Sequence, residues 1–282
     1  MNNTKYVSPW MNPTRVEKQI YAVINIPSLL LNLVIVVLVY LIGKRCYLFM
    51  ANLALTDIIG STGIIVNRCV TRPFVSSNVI IARVYCNVFI TEYIVWASRN
   101  ASSFTLVCMA IDRFIAVTKP FVYKKSMTKS TQFAMVGVCW ILGMISNIDN
   151  LFSLKPQGVI CVFEVHDDIF WYIGSFQGLY VVIIPSIFMI FLYTIALIKM
   201  KQTNNRFKNL TTTFIFITVI FMICWIPNTI IYMLAKTEFD WLFNDPIYDF
   251  SVYLGLLNAL FNPISYIIIS PSLRKDISKL IS

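Results

Sequence analysis

The sequence predicts an all-α membrane protein: a bundle of seven transmembrane helices, N-terminus outside, with a short amphipathic helix after the seventh span. Three observations carry that expectation. Hydrophobic residues make up 58% of the 282-residue chain and charged residues 13%, too little charge to cover a soluble domain of this size. Seven stretches each supply the ~20 mostly apolar residues that a spanning helix needs. The basic residues also gather on alternate connections, as the positive-inside rule demands of cytoplasmic segments.

The spans are expected at 19–42, 47–70, 84–117, 131–151, 169–199, 210–235 and 246–269. Residues 1–18 read as a polar extracellular N-terminus with Pro9 and Pro13 and no apolar signal core, so the first span is expected to target the chain as well. Residues 19–269 form the transmembrane domain, and 270–282 a cytoplasmic helix. Fourteen of the 23 Lys and Arg mark the inner side: Lys44 and Arg45; Arg113, Lys119, Lys124, Lys125 and Lys129; Lys199, Lys201, Arg206 and Lys208; Arg274, Lys275 and Lys279. The outer connections are acid-rich, with Glu164, Asp167, Asp168, Glu238, Asp240, Asp245 and Asp249. The net charge of +10 therefore reports topology and contact with anionic lipid rather than a nucleic-acid partner.

Cys86 opens the third span and Cys161 lies in the loop after the fourth, both on the oxidising outer side, so a bridge between them is expected. Asn2-Asn3-Thr4 is an external glycosylation sequon. Pro185, Pro227 and Pro263 interrupt the last three spans, and each removes a backbone hydrogen bond and permits a bend. After Pro271, "SLRKDISKLIS" sets Leu273, Ile277, Leu280 and Ile281 against Arg274, Lys275 and Lys279, an amphipathic pattern suited to the inner leaflet.

Polar residues inside apolar helices must find partners or line a cavity. Here they form an ordered series: Asn32 in "LNLVIV", Asp57 closing "NLALTD", Arg113 in "IDRF", Trp140, Pro185 with Tyr193, "CWIP" and "NPISY". In this order, one set per helix, they resemble the rhodopsin-like G-protein-coupled receptors along nearly the whole chain. The resemblance implies a multi-pass receptor of the plasma membrane that performs no chemistry itself. Its implied partners are membrane lipids, an extracellular ligand and a heterotrimeric G protein.

It also implies residue roles. Asp112 restrains Arg113 at rest, and Arg113 turns to the G protein and Tyr193 on activation, with Asn262, Pro263 and Tyr266 as the seventh-helix switch. Trp225, two residues before Pro227, is the toggle at the pocket floor, and Phe221 relays its movement. Asp57, Ser102, Asn258 and Asn262 match a sodium site, several oxygens around one carboxylate suiting a hard cation; no other cofactor is expected. Three departures stand out. Phe114 replaces the usual tyrosine after the arginine. Ser103 stands where the relay commonly has a branched aliphatic. "NNRFKNLTTT" at the inner end of the sixth span lacks the acid that often locks the arginine, so a constitutive or partner-dependent receptor is the alternative. A secondary transporter would need internal repeats, and none is visible. Sixteen residues follow Tyr266, from which weak arrestin recruitment is expected.

The family's pocket lies between the outer halves of the third, fifth, sixth and seventh helices. Val95 stands where amine receptors carry an acid, and no Lys between Lys236 and Lys275 could hold retinal. The candidates there are mixed: Asn67, Arg68, Glu92, Trp96 and Arg99 from the second and third spans; Gln177 and Tyr180 from the fifth; Asn228, Tyr232, Tyr248 and Tyr253 from the last two. Aromatics with both charge signs suit a peptide. Arg99 lies fourteen residues before Arg113, roughly 21 Å outward along the helix. A bare Arg at that depth is expensive. It is expected in the pocket, gripping a ligand carboxylate bidentately. The alternative is a pair with Asp57, which would supplant the sodium.

Overall fold

A computed structural model describes residues 13–70, 78–157, 160–163, 176–202, 208–237 and 239–281. The Asn2 sequon and the segment around Arg206 and Phe207 lie outside them. The described spans run Arg15–Ile42, Arg45–Val70, Val79–Thr118, Phe176–Lys201, Asn209–Ala235 and Pro246–Ile269, each long and apolar enough to cross a membrane. The fourth, Lys129–Ile145, has 17 residues, about 25 Å of helix, and is extended by a turn and the 3-10 turn Ile148–Leu151.

Local chemistry sets the ends. Thr14 and Glu17 form a capping box at the first span, the Thr14 N–H donating to Glu17 Oε2 at 2.6 Å, and Gly43 closes that helix at φ 66°. Asp245 caps the seventh span, with Pro246 in its first turn. The first span shows why the bundle forms. Val23, Leu30 and Val37, seven residues apart, are 71%, 58% and 55% exposed, whereas Asn25, Ser28 and Asn32 are fully buried. Apolar outside and polar inside inverts a soluble helix, and suits lipid as the outer solvent.

The third span begins earlier than expected and is not a uniform helix. Val79–Val84 passes into a π-helical turn, Tyr85–Ile90, before Tyr93–Thr118 resumes the α-helix. At the junction Glu92 takes a left-handed φ of 56°, the only non-glycine to do so among the described residues. The fifth span likewise opens with a π-turn, Leu179–Ile183. The loop after the fourth span holds a feature that periodicity did not reveal, an antiparallel hairpin of β1 (Leu154–Gln157) and β2 (Ile160–Phe163). Cys161 on β2 is bridged to Cys86, which ties the hairpin to the π-turn. After the seventh span, the cytoplasmic helix Pro271–Ile281 docks on the bundle, with Leu273 fully buried and Lys44 pairing with Asp276 at 2.6 Å.

Candidate functional site

At the inner end of the third span, Asp112 and Arg113 are each 1% exposed. The Arg113 guanidinium donates to Asp112 through Nε at 2.9 Å and through Nη2, while Gln132 Nε2 donates to the other Asp112 oxygen at 3.3 Å. A second restraint comes from the short helix Pro120–Ser126. Arg113 Nη2 donates to the Tyr123 hydroxyl at 3.1 Å, and the Tyr123 ring lies between Arg113 and Arg45, 5.9 and 5.8 Å from their Cζ atoms. A third comes from the sixth span, where the Phe214 ring lies 5.4 Å from Arg113 Cζ. The described part of the sixth span thus meets this arginine with a ring rather than a carboxylate. Tyr193 is buried in the same core, its hydroxyl not bonded to Arg113.

In the middle of the bundle, stranded carbonyls are met from neighbouring helices. Pro263 has no N–H for the Ala259 carbonyl, and Asn32 Nδ2 of the first span donates to that oxygen at 2.8 Å. Pro185 likewise strands the Val181 carbonyl, and Ser103 Oγ of the third span donates to it at 2.5 Å. Ser103 is therefore a cap, which explains why an aliphatic relay residue is missing there. Trp225 rests edge-on against Trp96, with centroids 6.3 Å apart, and against Gly255, where a Cβ would approach its ring to 3.1 Å. Phe221 is 1% exposed one turn below.

The cation site expected at Asp57 is corrected by the same layer. Asp57 is fully buried, and Asn262 Nδ2 donates to its Oδ2 at 2.8 Å. Its other oxygen takes Arg99 Nη1 at 3.2 Å. Ser102 and Asn258 are buried but not bonded to the carboxylate, and Asn258 Nδ2 finds no acceptor. The Arg99 guanidinium already balances the carboxylate, and neither Ser102 nor Asn258 is bonded to it, so a sodium ion would bring a second positive charge to a buried site and the four residues do not fit that ion. Arg99 is corrected too: it turns inward to Asp57 rather than into a ligand pocket. The physical cause is the demand for a counter-charge at depth. Glu92, the acid in the outer half of the third span, is already held by Arg68, with Nε at 2.5 Å and Nη2 at 2.8 Å.

Other residues expected in the pocket mostly join helices at the outer mouth. Asn67 donates to the Phe89 carbonyl at 2.8 Å, within the π-turn. Gln177 Nε2 donates to Asn147 Oδ1 at 3.0 Å, and Tyr180 to the Ser146 carbonyl at 3.2 Å, tying the fifth span to the fourth. Asn228 Nδ2 donates to Ser251 Oγ at 3.0 Å between the last two spans. Phe243 joins Tyr232 and Tyr248 edge to face, at 6.2 and 5.3 Å, and Tyr253 meets Tyr21 at 5.2 Å. The Arg68 guanidinium also lies over the Tyr21 ring at 5.5 Å.

Sequence reasoning missed Tyr123, Phe214, Gln132, Asn147 and Asp276. None carries a local signal, since each matters through what it touches across the bundle. The stranded carbonyls were legible, four residues before each proline; their partners were not.

Comparison with known proteins gives a concordant picture. The family model described as "7 transmembrane receptor (rhodopsin family)" matches residues 30–266. Proteinase-activated receptor 3 of Rattus norvegicus is 25% identical over 244 residues, covering 79% of this chain and 63% of its own length. Galanin receptor 2b of Danio rerio is 24% identical over 211 residues, 68% of this chain and 55% of the relative. The alpha-1A adrenergic receptor of Oryzias latipes is 21% identical over 284 residues, 83% of this chain and 59% of the relative. The chain thus spans less than two thirds of the length of these relatives.

Proposed function

We propose, from the premise that the chain belongs to the rhodopsin family of seven-transmembrane receptors, that it binds an extracellular ligand at the plasma membrane and thereby activates a heterotrimeric G protein. The observation that carries this reading is the Arg113 cluster. A buried guanidinium is held at the cytoplasmic end by an acid, a tyrosine and a phenylalanine from three different segments. Several partners of comparable strength around one charge make a switch.

The geometry suggests how the switch is thrown. Pro227 interrupts the sixth span two residues outward of Trp225, and Phe214 lies eleven residues inward of Trp225. Pressure on Trp225 from the outer side tilts the inner half of that span and draws Phe214 away from Arg113. The arginine then trades Tyr123 for Tyr193 and the G protein. The receptor performs no chemistry on its ligand; nucleotide exchange takes place on the G protein.

A peptide suits the outer mouth better than a small amine. Val95 replaces an amine-binding acid, both charge signs occur in Arg68 and Glu92, and the disulfide ties the hairpin after the fourth span to the outer part of the third. The relatives' names, with a proteinase, galanin and adrenergic ligands among them, differ too much to choose for this chain. The Tyr123 and Phe214 contacts weigh against a constitutively active receptor, because they supply restraint that the sixth-span acid would otherwise give.

The test is G-protein dissociation in cells expressing the chain, measured with and without a peptide library and a panel of amines. Activation by a peptide, abolished in Arg113→Ala at equal surface expression, is the expected result. Activation by amines alone would overturn the peptide reading. Absence of coupling to every G-protein class, with ligand or without, would overturn the receptor reading.

A further inference from the structure

Asp57 lies at mid-membrane with 0% exposure, where an uncompensated carboxylate is costly. Its charge can be met by a diffusible cation or by one built into the chain. We infer that Arg99 is a built-in counter-ion, a covalently tethered cation that takes the place of sodium at the Asp57 centre and makes this protein indifferent to that ion.

Three observations carry the inference. The first is occupancy. Both carboxylate oxygens are engaged by nitrogen donors, Oδ1 by Arg99 Nη1 at 3.2 Å and Oδ2 by Asn262 Nδ2 at 2.8 Å. The pair is neutral, so an added monovalent cation would bring an unbalanced charge into a low-dielectric layer beside a like charge. The second is a seat made for the guanidinium. Gly60 lies one turn outward of Asp57, and a Cβ there would stand 2.9 Å from Arg99 Nε, 3.0 Å from Cζ and 3.1 Å from Nη2. Any side chain at position 60 would press on the guanidinium, and glycine allows the second helix to lie against it. The third is the absence of an escape route. Glu92, two turns outward on the same span, is bound to Arg68 through two hydrogen bonds. Arg99 has no competing acid among the described residues on its own helix in the outer half, so the pair with Asp57 is its lasting state.

The consequence is a bundle whose central charge balance does not exchange with the medium. A sodium-filled centre stabilises by an amount that grows with the logarithm of ion concentration above its Kd. A tethered guanidinium is present at fixed stoichiometry and does not vary with external salt.

The experiment is thermal unfolding of the purified full chain in lipid nanodiscs, in sodium, potassium and choline chloride at equal concentrations. Because stability is the readout, failure here is distinguishable from failure of the receptor reading. The wild-type midpoint is expected to be the same in all three salts. Arg99→Ser frees the carboxylate of its tethered cation and leaves Asn262 on it, so it is expected to gain a rise of several degrees specific to sodium. That rise should vanish in Arg99→Ser/Asp57→Asn. A sodium-specific rise in the wild type that Asp57→Asn removes would overturn the inference. So would a folded Arg99→Ser with no sodium response. Should Arg99→Ser fail to fold, the wild type and Arg99→Lys decide: both are expected to ignore sodium, and a sodium-specific rise in Arg99→Lys would overturn the inference.

Discussion

Pro263 leaves the Ala259 carbonyl without its helical donor, and Asn32 supplies one from another helix at 2.8 Å. Asn25 looks alike in the sequence, but its Nδ2 donates to Tyr21 of its own helix, four residues back, where the backbone N–H already serves. The two asparagines should therefore differ on replacement. Asn32→Ala leaves a buried carbonyl unpaired, at a cost of about 1–3 kcal/mol, and should lower the unfolding midpoint clearly. Asn25→Ala should lower it little. Equal losses in a thermal scan of the two variants would refute this account. Tyr123 offers a second test. Tyr123→Phe keeps the ring between Arg45 and Arg113 but removes the hydroxyl that accepts from Arg113 at 3.1 Å. Ligand-free G-protein activation should rise several-fold at equal surface expression, and an unchanged basal signal would show that the hydroxyl does not restrain Arg113.

The third span shows how an element absorbs extra chain. Cys86 precedes Arg113 by 27 residues, two more than is usual in the family. The π-turn Tyr85–Ile90 and left-handed Glu92 take up that excess, so Cys86 still faces Cys161 and the inner helix keeps its register. The cytoplasmic helix Pro271–Ile281 depends on electrostatics instead. Burial opposes ionisation of Asp276, but hydrogen bonds from Lys44 and the Tyr47 hydroxyl outweigh it and hold the carboxyl below its ordinary value. A depressed carboxyl contributes stability above its unfolded pKa, about 3.9, and loses it as pH falls through the lower folded value. Protection of the amides of residues 271–281, taken relative to the intrinsic exchange rate at each pH, should accordingly fall below about pH 4, and Asp276→Asn should show the lower protection at neutral pH. Protection in the wild type that does not change with pH would contradict this. The hairpin of β1 and β2 is tied to the third span by its bridge to Cys86 and by the Leu154 N–H donating to Asn87 Oδ1 at 2.9 Å, so mild reduction should quicken exchange at 154–163 while leaving the spans protected.

At the scale of the molecule, lipid sets the arrangement. Large apolar side chains such as Val23, Ile187 and Ile268, each more than 60% exposed, face outward, while Asn32, Asp57, Asp112 and Arg113 are sealed inside. Basic connections then fix which end faces the cytoplasm. A cysteine placed at Lys124 should react with an impermeant maleimide only after permeabilisation, and one at Asp249 should react from outside on intact cells. The reverse pattern would invert the topology.

The sequence by itself determined the number of spans, their orientation, the Cys86–Cys161 bridge and the place of each polar residue along its helix. These follow from composition, spacing and charge, all local properties that a membrane reads one segment at a time. It did not determine partners. Arg99 could face a ligand or Asp57, Ser103 could be a relay or a cap, and Arg113 could be held by one group or three. Such choices depend on which side chains meet across helices far apart in the chain, as Asn32 meets Ala259 and Arg99 meets Asp57. In a low-dielectric interior every buried donor and charge must be met, and only the packed bundle decides by whom.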